Sequence, residues 1–216
     1  MYLIICILLI FAEAATAQDI PKDKIMHYDA AALAIDTVSN CLYSADIDND
    51  TLAIAFRLAM SFFPELCNQK INLKYANIKT SMAAQPRVLS VFLNRKNRTY
   101  NVIINKNQQK EQARLLHAAP FNAVVGVMGH ELAHILDYVS KSGWQLTWTG
   151  IRYAGKNYRR QLERQTDLMT IERGLGWQLY HFSYFLLHQA DIDEEYRRYK
   201  LDLYMKPEEI LEIMLP

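Results

Sequence analysis

His130, Glu131 and His134 stand together in the run Gly-His-Glu-Leu-Ala-His. On a helix, residues four apart project from one face, one turn from each other. Two imidazoles so placed can each bring a nitrogen to a single Zn²⁺ at about 2.0–2.1 Å. Glu131 falls beside that ion without having to bind it. Zinc lowers the pKa of a bound water towards ~7, and a carboxylate in hydrogen-bonding reach then acts as general base. Chance yields this pattern roughly once in a hundred chains of such composition. Its flanks add weight: Ala123 to Met128 is an uninterrupted apolar run, and Asn122 is positioned to cap a helix there. A glutamate in so apolar a helix is costly to bury unless it is paired or lies near a cation.

A catalytic zinc site needs a third protein ligand and one open position. Glu163 and Asp167, again four apart, lie in Arg-Arg-Gln-Leu-Glu-Arg-Gln-Thr-Asp and would share a helix face. One can bind the metal while the other holds a ligand histidine through its second ring nitrogen. Spacing does not decide between them. Ion pairs with Arg159, Arg160 or Arg164 offer the two carboxylates a plainer role. Asp137, one turn beyond His134, can support a ligand or a neighbouring element.

Together the two motifs resemble the gluzincin metallopeptidases, and most nearly the family of the CAAX prenyl proteases and the membrane heat-shock metalloproteases. The likeness rests on His130-Glu131-Leu132-Ala133-His134 and Glu163-Arg164-Gln165-Thr166-Asp167, and spans roughly residues 120 to 177. It implies that His130, His134 and Glu163 bind one Zn²⁺ and that Glu131 is the catalytic base. It also implies that Asp167 hydrogen-bonds a ligand histidine. That family stabilises the oxyanion with a downstream His, Arg or Tyr, for which Tyr180, His181 and Arg173 are the candidates. A preceding sheet would hold an extended peptide or protein substrate along its edge. Two departures stand out: Thr166 replaces the usual alanine, and the several membrane spans of many members are not readable here.

Around these motifs the texture changes twice. Residues 26 to 43 and 50 to 66 carry mostly helical spacing, with Asp50 able to cap the second stretch and Pro64 near its end. Residues 71 to 75 alternate apolar and polar, while 88 to 93 and 99 to 104 are β-rich and joined through Asn94 to Arg98. These predict a hairpin and a small antiparallel sheet of about three strands. From Asn122 the pattern is helical, punctuated at Gly143, Gly155 and Gly174, with Pro207 opening a last helix. The expectation is an α+β, minimal zincin-like domain over residues 18–216, its C-terminal half helical.

Residues 1–11 form an uncharged apolar run, shorter than the about 20 residues that span a bilayer. Ala15-Thr16-Ala17 follows as a signal-peptidase pattern, so residues 1–17 read as a signal peptide cleaved before Gln18. The protein is expected in the periplasm or outside the cell. There Cys41 and Cys67 can either form a disulfide or remain buried thiols. A formal charge of +1 from 24 Lys+Arg and 23 Asp+Glu argues against nucleic acid as a partner. The stretch from Trp144 to Arg160, with two of the three Trp, is either an interfacial membrane helix or a core helix with a basic edge. An exported zinc endopeptidase is the leading reading; a non-catalytic metal-binding or membrane-surface envelope protein on the same fold is the alternative.

Overall fold

The computed structural model describes residues 19–29, 38–107 and 111–215. The signal-peptide reading of residues 1–17 lies outside them, as does the middle of the helix expected over 26–43. The described fold is α+β. Strands β1 (Tyr43–Asp46), β2 (Lys70–Ala76), β3 (Met82–Pro86) and β4 (Thr99–Asn105) form one sheet in the order β1-β2-β4-β3. Helix α1 (Asp50–Met60) connects β1 to β2; α2 (Glu111–Ala118) and α3 (Phe121–Ser140) follow the sheet. Then come α4 (Gly143–Arg152), α5 (Lys156–Thr170), α6 (Gly176–His188), α7 (Glu194–Leu203) and α8 (Pro207–Met214).

The expected antiparallel sheet is in fact mixed. β1 runs parallel to β2 because α1 carries the chain back over the sheet between them, and β4 runs parallel to β2 because β3 reverses the chain between those two. Only β3 and β4 pair antiparallel, with Met82 opposite Ile104 and Pro86 opposite Tyr100. The hairpin therefore uses Met82–Pro86 in place of residues 88–93. Val88–Ser90 is instead a single 3₁₀ turn whose apolar side chains face outwards. Tyr43, expected at a helix end, opens β1.

The core lies between the sheet and two helices. Phe56 and Met60 of α1, Ile71 and Leu73 of β2, Tyr100 and Val102 of β4, and Met128 and Leu132 of α3 meet there fully or almost fully buried. Asn49, not Asp50, caps α1 by accepting from the Leu52 amide at 3.0 Å. Asn122 lies inside α3 rather than at its cap, since Pro120 precedes the helix. Its amide is buried and joins distant segments: Oδ1 accepts from the Met26 amide at 2.8 Å and from Gln178 Nε2 at 3.2 Å.

α3 is the central element. All its residues from Asn122 to Ile135 are buried, as a helix apolar on every side must be. One contact there demands glycine: a Cβ on Gly126 would come within 2.3 Å of the backbone of Gln178 in α6. The two helices thus cross backbone to backbone. The Cys41–Cys67 disulfide closes the sheet's entry, joining the residues before β1 and before β2.

Candidate metal centre

Two helices bring the motif residues together. α3 presents His130, Glu131 and His134, and α5 packs Leu162, Glu163, Thr166, Asp167 and Thr170 against it. That buried stripe of α5 is mostly polar, in the pattern of a helix facing a hydrated or charged partner rather than a core. His130 Nε2 and His134 Nε2 each lie 3.1 Å from Glu163 Oε2. One donor atom from each of these three buried residues falls within 4.8 Å of the others, so the group could hold a metal ion.

The atoms facing away from this point are all engaged. His130 Nδ1 lies 2.8 Å from Asp167 Oδ1, a carboxylate oxygen, so the ring nitrogen donates. Thr166 Oγ1 donates its only proton to the Leu162 carbonyl at 2.9 Å. It can therefore only accept from His134 Nδ1, at 3.2 Å. Both rings are thus held with a proton on Nδ1 and with Nε2 turned towards Glu163 Oε2. Glu163 Oε1 accepts from the Tyr153 hydroxyl. Three lone-pair atoms converging in a dry site repel one another unless a cation, proton or metal, stands between them.

The ionisation of the metal-free cluster follows. Burial opposes a charge on His130, but the hydrogen bonds to Asp167 and Glu163 outweigh it and raise its pKa to about 10. Burial likewise opposes ionised Glu163, yet His134 and His130 hold its carboxyl well below the ordinary value. Burial, helped by Glu163, pushes the Tyr138, Tyr153 and Tyr204 phenols up, so all three keep their protons.

Glu131 is buried next to this cluster and, with Tyr204, lines two cavities that meet there. One is a groove between β3 and the inner side of α4, bounded by Met82 to Pro86, His134, Tyr138, Leu146, Thr149 and Tyr153. β3 is the sheet's edge, paired only with β4. The other is a mainly apolar recess behind His130, reaching Val127, Phe182, Leu186 and the buried Lys200.

Glu163 Oε2 faces the Nε2 atoms of both histidines, while Asp167 stands behind His130 on its Nδ1 side. The neighbouring arginines go elsewhere: Arg164 pairs with Glu209, Arg160 with Asp202, and Arg159 donates to the Tyr153 carbonyl. Asp137 pairs with Lys141 and takes no part in the cluster. The three residues considered for an oxyanion also lie elsewhere. His181 Nδ1 is 3.1 Å from Asn122 Nδ2, Tyr180 is buried with Met205 and Ile210, and Arg173 pairs with Glu65. Tyr204 stands by the cluster instead, its ring centroid 5.4 Å from that of His130. Asp167 places it, since Oδ2 accepts from the backbone amide of Met205 at 2.8 Å. Nothing in the spacing around Tyr204 marks it in the sequence.

No family model, curated protein or solved structure matches this chain.

Proposed function

We propose that this chain is an exported zinc-dependent endopeptidase. The observation that carries the reading is the donor set. His130, His134 and Glu163 turn one atom each to a common point, a partner holds the far side of each, and Glu131 remains free of it beside a groove. Two imidazoles and one carboxylate suit zinc and match the ligand set of catalytic sites that keep an open position. The groove along an unpaired strand edge supports an extended peptide as substrate, since such an edge offers backbone hydrogen bonds to an added strand. The Cys41–Cys67 disulfide supports export to an oxidising compartment.

Zinc held by His130, His134 and Glu163 would polarise the scissile carbonyl and acidify a water. Glu131 accepts the proton of the attacking water and passes it to the leaving amine as the C–N bond breaks. Asp167 and Thr166 keep the two imidazoles in the Nδ1–H form throughout. The Tyr204 phenol, protonated and not committed to the cluster as Tyr153 is, donates to the charge developing on the carbonyl oxygen. Glu131→Gln tests the assignment. The variant should retain zinc while losing about 10²–10⁴-fold in peptidase activity. Undiminished cleavage would remove Glu131 as the base, and wild-type protein that binds zinc but cleaves no unfolded polypeptide would favour a non-catalytic metal site.

A further inference from the structure

A second surface of the molecule is built unlike the rest. In the turn after β3, Leu89 is 82% exposed and Phe92 77%, with Val88 beside them. On the outer face of α4, Trp144 is 76% exposed, and Trp148 and Ile151 follow at helical spacing. Residues 144 to 160 are not one helix: α4 ends at Arg152 and α5 begins at Lys156, so Trp144 and Trp148 belong to α4 alone.

These two apolar segments form one fixed face. Gly143 sits so close to the turn that a Cβ there would meet the Val91 carbonyl oxygen at 2.6 Å. Arg98 is buried and clamps the pair, donating through Nε to the Leu93 carbonyl at 3.2 Å and through Nη1 to the Lys141 carbonyl at 2.7 Å. An exposed apolar face of this kind on a globular protein marks a docking surface.

Charge identifies the occupant. The whole chain is almost neutral, yet every charged residue between Glu65 and Glu111, and between Asp137 and Glu163, is Lys or Arg. Arg87, Arg95, Lys96 and Arg152 are exposed beside the aromatic side chains. Aromatic residues flanked by cations suit the headgroup layer of an anionic bilayer, where each basic residue adds about 1 kcal/mol of attraction. Two such faces brought together across a two-fold axis would oppose like charges.

We propose that the turn Arg87–Lys96 and the outer face of α4 dock this protein on an anionic bilayer surface. No helix among the described residues is long and apolar enough to cross a membrane. Docking has a consequence for substrate that rests on the peptidase reading. β3 runs straight into the turn, and the inner face of α4 lines the groove, so the groove would open at the headgroup layer. Its substrates would then be polypeptide segments held at or emerging from a membrane.

The chain from Gln18 onward, which carries every contact described above, is cosedimented with vesicles of phosphatidylcholine alone or with about a third phosphatidylglycerol. The anionic vesicles should retain at least about tenfold more protein, with the difference shrinking at high salt. Phe92→Ser with Trp144→Ser should lose at least about tenfold in binding while keeping the wild-type melting temperature, because both side chains are exposed. Chelator and Glu131→Gln should leave binding unchanged, so failure of the peptidase assignment would not touch this result. Equal recovery on both vesicle types, or full binding by the double variant, overturns the proposal. So does a dimer that the same double variant abolishes, which would give the face to a second copy.

Discussion

Thr166 has a single hydroxyl proton and gives it to the carbonyl one turn back, so its oxygen can only accept from His134. Thr166→Val keeps the shape and removes that acceptor, and zinc affinity should fall by about 10–100-fold with little loss of fold. Competition with a fluorescent chelator measures it, and an unchanged affinity would show that His134 is oriented by packing alone. At Tyr204 the expectation concerns rate instead. Tyr204→Phe should leave zinc content intact and lower kcat by about 10²–10³-fold, with KM changed far less. The residues of the cluster were legible in the sequence because a helix turns spacing into shared direction: His130 with His134, and Glu163 with Asp167. Tyr153 and Tyr204 were not, since each reaches the cluster from a separate segment through one hydrogen bond or one loop. Periodicity carries no trace of such contacts.

Among the elements, the helices around the cluster were the most legible and the sheet the least. β4 announces itself as Tyr-Asn-Val-Ile-Ile, β-branched and buried on both faces. β3 is Met-Ala-Ala-Gln-Pro, weak in strand propensity, and becomes a strand because β4 offers it an edge. Residues 88 to 93 look more like a strand than β3 does, but of their apolar side chains only Val91 is buried, and Val88, Leu89, Phe92 and Leu93 point outwards. Hydrophobicity alone does not say whether a run is meant for the core or for a partner. The crossing of α3 and α6 gives a sharp test at this scale. Gly126→Ala forces a methyl against the backbone of Gln178 and should destabilise the protein by at least about 1–3 kcal/mol in urea unfolding. Gly150→Ala, with nothing within 4 Å of the new Cβ, should instead stabilise α4 by about 0.5–1 kcal/mol. Equal effects would contradict the close crossing.

For the molecule as a whole, the cluster couples folding to pH. In the metal-free protein His130 is raised from its ordinary 6.5 to about 10. Its contribution to stability is complete below 6.5 and is lost as pH rises through about 10. Glu163 is depressed below its ordinary 4.5, so its contribution is present above that value and is lost on further acidification. The melting temperature of chelated protein should therefore be highest between those two ordinary values and decline towards alkaline pH. Loading with zinc near neutral pH should expel the His130 proton. Calorimetry in buffers of different ionisation heat would detect that release, and heats independent of buffer would contradict the protonated cluster.

Asp167 reaches in two directions, one oxygen on His130 and the other on the Met205 amide. Arg164, on the same helix, pairs with Glu209. The centre thus draws on residues made some seventy positions after His130. While the chain is being synthesised, both signature motifs emerge and can fold into helices before Tyr204, Met205 and Glu209 exist. A nascent chain at that stage has the His130, His134 and Glu163 side chains but not the segment that packs behind them. The order of synthesis alone would keep the cluster's surroundings incomplete until Tyr204, Met205 and Glu209 have been made and packed.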